Sequence, residues 1–339
     1  MRVLIATDAW FPQVNGVVRT LDRLRRELVA MGHEVEIVSP EGYRSMPMPT
    51  YNEIRLALTT PGQIAKRIER FAPDYIHIAT EGPIGLMARR WCMRQQRAFT
   101  TSYHTRFPEY VRARVPVPIT ASYRYLTWFH NAGAAMMVTT ESLANELKGW
   151  GFGTIARWPR GVDHELFRPS DDKVLEFEGP IFLYVGRVSV EKNIEAFLSL
   201  DLPGTKVVVG DGPQREGLET AFPEARFLGA KFGDDLSAIY ASADVFVFPS
   251  RTDTLGLVNL EALACGVPVA AYPVTGPRDI IGDAPVGILN EDLQLAALQA
   301  LDLSRAACRE HALKFTWAES AQAFCDNMVL YQGQFGAAA

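Results

Sequence analysis

At 339 residues, 48% hydrophobic and 22% charged, the chain has the size for two ordinary domains and the composition of a soluble globular protein. No apolar run approaches the ~20 residues of a membrane span, and residues 3–6, after Met1-Arg2, are too few for a signal-peptide core, so a cytoplasmic protein is expected. The four cysteines, Cys92, Cys265, Cys308 and Cys325, show no C-x-x-C spacing; this argues against a zinc ribbon or a thioredoxin-type motif and suits reduced, structural thiols. The net charge of −5 is split unevenly. Residues 1–170 hold 22 Lys+Arg against 15 Asp+Glu (+7), and residues 171–339 hold 12 against 24 (−12), which suggests two modules with different partners.

Along the chain, short wholly apolar runs at 3–6, 35–38, 75–78 and 134–138, then at 181–185, 206–209, 245–248 and 267–271, alternate with helical-period segments. Runs of this kind are parallel strands buried on both faces, joined by crossover helices. The first run ends in TDAWFPQVNGV, where Gly16 stands at the turn into a helix carrying Val17, Leu21, Leu24, Leu28 and Val29, with Gly32 as its C-terminal cap. Gly16 is read either as a structural turn or as a place where backbone amides meet a phosphate. No G-x-G-x-x-G and no P-loop lysine is present.

Further on, TSYHTRFPEY holds His104, and residues 106–130 interleave Arg106, Tyr110, Arg112, Arg114 and Arg124 with aromatic residues. That mixture suits an interface with anionic lipid, and equally an amphipathic core helix with a solvated back. The pattern pauses in RGVDHELFRPSDDK, residues 160–173, where the domain boundary is placed: 1–170 for acceptor binding and 171–339 for nucleotide-sugar binding, with the C-terminal helices as candidates to cross back. Two doubly wound domains of this kind are expected to enclose a cleft with ligands beyond the carboxyl ends of the strands.

In the second half the strand at 181–185 runs into GRVSVEKN. Arg187 can fork onto phosphate oxygens and Lys192 add a point charge, or both are solvated surface charges. The segment PSRTDTLGLVNLEALA sets Asp253 in a loop and Glu261 inside the following helix, with the amides of Thr254, Leu255, Gly256 and Leu257 between them. Glu261 sits among Leu260, Ala262, Leu263 and Ala264, so it needs a partner: a ribose diol, or a cation on a neighbouring helix.

Taken together, FPQVNGVVRTL, TSYHTRFPEY, RGVDHELFRP, GRVSVEKN and DTLGLVNLEALACGVPVAA resemble glycosyltransferase family four, retaining enzymes of the GT-B fold with two Rossmann-like domains. The resemblance covers nearly the whole chain. It implies that Arg187 and Lys192 hold the donor diphosphate, that Glu261 binds the ribose hydroxyls, and that Gly16 lies beside the phosphates. It implies further that Asp253, a shorter acid than the family's usual glutamate, contacts the transferred sugar, and that His104 reaches that sugar from the other domain. It implies no metal and no cofactor beyond the nucleotide sugar, and the sequence has no D-x-D motif and no His/carboxylate cluster at ligand spacing. The expected activity is retaining transfer of a hexose-type sugar from a UDP-sugar, with GDP-mannose as the other candidate, to a lipid such as diacylglycerol at the inner face of the cytoplasmic membrane. Transfer to a soluble saccharide or sugar phosphate, a sugar-nucleotide 2-epimerase and a non-catalytic nucleotide-sugar-binding protein are the other readings. The negative net charge and the lack of a nucleic-acid module argue against a nucleic-acid partner.

Overall fold

A computed structural model describes residues 1–13, 15–48, 51–112 and 115–333. They form two compact units, residues 1–160 with 317–333, and residues 161–316. The first unit holds strands β1 (Arg2–Ala6), β2 (Glu34–Val38), β3 (Arg44–Met48), β4 (Tyr51–Leu58), β5 (Tyr75–Ile78), β6 (Thr100–Ser102), β7 (Ala135–Val138) and β8 (Ile155–Arg157). Its helices are α1 (Gly16–Ala30), α2 (Pro61–Phe71), α3 (Pro83–Arg94), α4 (Phe107–Arg112), α5 (Ile119–His130) and α6 (Glu141–Gly149). The second unit holds β9 (Ile181–Val185), β10 (Thr205–Val209), β11 (Arg226–Gly229), β12 (Val245–Phe248), β13 (Val269–Ala271) and β14 (Gly287–Leu289). Between them run α7 (Ile194–Leu198), α8 (Arg215–Ala221), α9 (Gly233–Ser242), α10 (Leu257–Ala264), α11 (Pro277–Ile281), α12 (Leu293–Ala300) and α13 (Arg305–Ala312); α14 (Trp317–Gly333) returns to the first unit.

Both main sheets are parallel. Their orders are β2-β1-β5-β6-β7-β8 and β11-β10-β9-β12-β13-β14, and β3 and β4 form a separate antiparallel pair. The second order is the dinucleotide-fold order, in which the winding reverses between the first and fourth strands. Here the reversal lies between β9 and β12, which pair directly. β9 is apolar throughout because it faces two cores. Ile181, Leu183 and Val185 of β9 enter one cluster, and Phe182 and Tyr184 the other. Val3 and Ile5 of β1 are likewise separated from Leu4 and Ala6.

The boundary lies at residue 160 and not at 170, because Val162 and Phe167 are buried in the second unit's core and Val162 N–H donates to Phe315 O at 3.1 Å. Residues 317–333 separate from the expected second domain for the same kind of reason: Ala321, Phe324 and Met328 of α14 pack with Leu21, Leu24 and Leu28 of α1. Asn15 starts α1 by accepting from the amides of Val17 and Val18, at 3.0 Å each.

Candidate functional site

In the second unit the site residues come from the two loops at the reversal point. The loop after β9 and the loop after β12 are tied by three contacts. Asn193 Nδ2 donates to Pro249 O at 3.1 Å, Thr252 Oγ1 to Glu191 O at 3.3 Å, and Lys192 Nζ to Asp253 Oδ1 at 2.5 Å. Lys192 and Asp253 are largely shielded, with side chains 20% and 15% exposed. The second oxygen of Asp253, Oδ2, is buried with no hydrogen-bond partner among the described residues. Arg187, partly buried, lies at the start of the same loop, with its carbonyl held by Tyr184 Oη at 2.9 Å. A cation and an acid thus meet where the sheet's winding reverses, and the acid keeps an open acceptor.

Gly256 opens α10 with φ +78°. A Cβ there would stand 2.6 Å from Asn259 Nδ2 and 2.8 Å from Phe248, so this backbone requires glycine. Gly256 offers no side chain to cap the amides of Leu257 and Val258 at the start of α10, a setting that suits an anion. Glu261, 6% exposed, lies one turn inside α10, and Tyr240 Oη of α9 donates to its Oε2 at 3.1 Å. The sequence offered a ribose diol or a cation as partner; the structure adds a tyrosine hydroxyl. No sequence signal marked Tyr240. Arg251, in the same loop as Asp253, lies 3.6 Å over the Tyr272 ring and pairs with Glu291 at 2.9 Å, which pins the outer edge of that loop.

The glycines after β9 and β10 bring two loop backbones together. Gly210 has φ +145°, and a Cβ on it would lie 1.8 Å from Gly186 O. Val188 N–H donates to Asp211 O at 2.9 Å and Gln214 N–H to Val188 O at 3.1 Å, so the loop after β10 braces the one bearing Arg187 and Lys192.

In the first unit the loop after β1 carries Asp8, an acid ending an apolar strand and not among the residues expected from the sequence. Asp8 is 5% exposed. It accepts from Thr80 Oγ1 at 2.9 Å, Ile84 N–H at 2.9 Å and Gly85 N–H at 3.3 Å, so it caps α3. Burial outweighs these bonds and lifts its pKa to about 6. Gly16 is the first residue of α1, exposed, and a Cβ on it would meet no atom within 4 Å. Nothing in the chain's own packing therefore demands glycine there.

His104 follows β6 and ends a chain of hydrogen bonds. Arg160 Nη2 faces its Nδ1 at 3.5 Å, and Ser102 Oγ its Nε2 at 2.8 Å. Ser102 Oγ also meets His77 Nε2 at 3.0 Å; His77 Nδ1 meets Thr100 Oγ1 at 3.0 Å, and Gln332 Nε2 donates to Thr100 at 3.2 Å. A guanidinium only donates, which fixes the direction of the chain. Nδ1 of His104 accepts, its Nε2–H donates to Ser102, the serine hydroxyl donates to His77 Nε2, and His77 Nδ1–H donates to Thr100. Burial first, then nearby Arg160, holds both imidazoles neutral: His77 falls to about 3, and His104 lies well below its ordinary value.

The expected lipid-facing group is divided by the structure. Arg106 is 8% exposed and forms a two-pronged ion pair with Glu146, one prong at 2.7 Å, so it is a structural residue and cannot face a membrane. Tyr110 is partly buried, Arg112 is exposed, and Arg114 lies outside the described residues. On α5, Tyr123, Leu126 and Phe129 point inward, while Arg124, Tyr125 and Trp128 are exposed. Arg89 of α3 lies 3.9 Å over the Trp128 ring.

Residues 14–166 match the model described as Glycosyltransferase Family 4, and residues 179–304 that described as Glycosyl transferases group 1. A GDP-mannose-dependent alpha-mannosyltransferase of Mycobacterium tuberculosis is 30% identical over 316 residues, covering 85% of this chain and 83% of the relative. The chain belongs to glycosyltransferase family 4. This family 4 enzyme is also 34% identical over 307 residues to sulfoquinovosyl transferase SQD2 of Arabidopsis thaliana; the match takes in 82% of the chain and 60% of that longer relative. Among solved structures, sucrose-phosphate synthase of Thermosynechococcus elongatus aligns with a TM-score of 0.77 at 22% identity, over 99% of this chain and 100% of that one. HepE of Anabaena, solved with UDP and glucose, aligns with a TM-score of 0.71 at 15% identity, over 96% and 99%. The fold is GT-B.

Proposed function

We propose that this family 4 enzyme transfers a hexose-type sugar, with retention and without a metal, from a UDP-sugar to a lipid acceptor such as diacylglycerol at a membrane surface. The observation that carries the reading is the Lys192–Asp253 pair at the β9/β12 reversal, with the free Oδ2 of Asp253 buried beside it. In the bound state Lys192 and Arg187 neutralise the leaving diphosphate, and the N-terminus of α10, which Gly256 leaves without a side-chain cap, adds a preorganised dipole. Asp253 turns Oδ2 to a hydroxyl of the transferred sugar. Glu261, oriented by Tyr240, takes the ribose hydroxyls, and Gly16 leaves room for a phosphate at the start of α1. Front-face attack, with the leaving phosphate oxygen taking the acceptor's proton, needs no base from His104, which is neutral and hydrogen-bonded to Ser102 and Arg160.

The lipid acceptor draws on two relatives, sulfoquinovosyl transferase SQD2 and the alpha-monoglucosyldiacylglycerol synthase of Streptococcus pneumoniae, 27% identical. It draws also on the exposed Arg124, Tyr125 and Trp128 of α5. No helix among the described residues is long and apolar enough to cross a membrane, so attachment is proposed to be peripheral, on the cytoplasmic face. A second reading is favoured by three GDP-mannose-dependent relatives of 29–30% identity: GDP-mannose as donor, with a lipid or soluble saccharide acceptor. Incubation with UDP-glucose or GDP-mannose and diacylglycerol vesicles in the presence of a chelator tests the reading. An α-linked glycolipid as first product supports it. A β-linked product contradicts retention, free epimerised nucleotide sugar points to an epimerase, and donor binding without transfer or hydrolysis points to a non-catalytic protein.

A further inference from the structure

Arg160, directly after β8, is 4% exposed, and no carboxylate pairs with it among the described residues. One side of its guanidinium is fastened. Nη1 donates to Trp158 O at 2.7 Å and Pro159 O at 3.2 Å, and the plane lies 3.7 Å over the Trp158 ring. Nη2 spends one N–H on His104 Nδ1 at 3.5 Å. The Nε–H and the second Nη2–H, which together form the fork that grips two oxygens of one anion, have no acceptor among the described residues. Trp158 Nε1, on the ring under the guanidinium, is a buried donor without a partner among the described residues. The neighbouring rings His77 and His104 supply no negative charge. His130, the third imidazole nearby, spends its Nε2 on Glu81 at 3.0 Å, so that acid is engaged elsewhere. A buried cation left in this condition costs stability unless something anionic completes it.

We propose that Arg160 is the anion-recognition residue of the first unit, gripping two oxygens of a phosphate, sulfonate or carboxylate group carried by the substrate. The proposal deepens the transferase reading above and names the charge its substrate brings to this unit. Such an anion has two sources: the diphosphate of the donor, or a charged substituent on the sugar or the acceptor. The fastened plane explains the selectivity expected. Lysine keeps the charge but not the fork, and so holds the anion less well.

The test is the melting temperature of the full chain with inorganic phosphate, methanesulfonate, acetate or UDP added, for wild type, Arg160→Lys, Arg160→Gln and Lys192→Met. Each variant's shift is read against its own unliganded value, so a changed baseline does not enter. The proposal expects at least one simple anion to stabilise the wild type and the Lys192→Met variant. It expects the apparent affinity for that anion to fall at least about tenfold in Arg160→Gln, and less in Arg160→Lys. Should Arg160→Gln fail to fold, the Arg160→Lys series decides by the same comparison. If UDP stabilises Arg160→Gln as well as wild type, the anion is a substituent of the sugar or acceptor; if its effect falls with Arg160, it is the diphosphate. An anion response that survives in both Arg160 variants, or that is absent from the wild type, overturns the proposal. Loss of UDP binding from the wild type with the simple-anion response intact defeats the donor-site reading and leaves this one standing.

Discussion

Lys192 and Asp253 stand 61 positions apart in sequence and share one hydrogen bond, which makes them the residues most sensitive to conservative change. With Lys192 proposed to face the departing diphosphate, Lys192→Met is expected to lower kcat by about 10²–10³. A loss confined to KM contradicts that role. Tyr240→Phe deletes the bond that orients Glu261; nucleotide affinity is expected to weaken by roughly two- to tenfold with kcat unchanged. Asp8 gives a prediction in pH. Its folded pKa of about 6 lies above the ordinary 3.8, so its contribution to stability is greatest below the ordinary value and is lost as pH rises through 6. Relative to Asp8→Asn, the wild type should therefore lose on the order of 3 kcal/mol between pH 3.5 and 7 in denaturant unfolding, and a gain over that range contradicts the assignment. Arg187, Lys192, Asp253 and Glu261 stand out as candidates in the sequence because they are charges in apolar strand–loop–helix units, and the structure brings Lys192 and Asp253 together. Tyr240, Arg160 and the role of Asp8 were not, because what sets them apart is a partner distant in sequence. Arg106 was misread for the same reason: Glu146, 40 positions away, turns a lipid-facing arginine into a buried ion pair.

At the scale of elements, most of the apolar runs foretold strands buried on both faces, and the loops after them carry the candidate residues of each unit; the run at 35–38 forms β2, which is only partly buried. β6 escaped notice because Thr100, Thr101 and Ser102 are polar yet fully buried. Their hydroxyls are satisfied by His77, His130 and Gln332, none of them near in sequence. β8 and β14 are three residues long, too short for a pattern, and the β3–β4 pair left no clear signal. Two glycines separate structural from ligand-driven need. Gly210→Ala drives a Cβ into Gly186 O and should cost about 1–3 kcal/mol of stability and loosen the loop that carries Lys192. Gly16→Ala meets open space, so the melting temperature should stay level or rise slightly, while nucleotide affinity drops if a phosphate approaches there. Unchanged affinity in Gly16→Ala removes that residue from the donor site.

For the whole molecule, the charge contrast survives the corrected boundary. The unit of residues 1–160 and 317–339 carries 21 Lys+Arg against 15 Asp+Glu (+6), and residues 161–316 carry 13 against 24 (−11). A basic unit with Arg124, Tyr125 and Trp128 exposed on one helix should bind anionic vesicles and release them at high salt. Arg112→Ala and Arg124→Ala should each weaken binding about fivefold in a sedimentation assay, and equal binding to neutral vesicles removes the electrostatic part of the idea. The central claim is that a nucleoside diphosphate is held at the β9/β12 reversal, and its most direct test is thermal unfolding of the protein with UDP, GDP, UMP and GMP, with and without a chelator. One diphosphate should stabilise the fold, on the order of 2.7 kcal/mol at a hundredfold excess over its Kd, unaffected by the chelator and lost in Glu261→Ala. No shift with either diphosphate, or an equal shift in Glu261→Ala, contradicts the account.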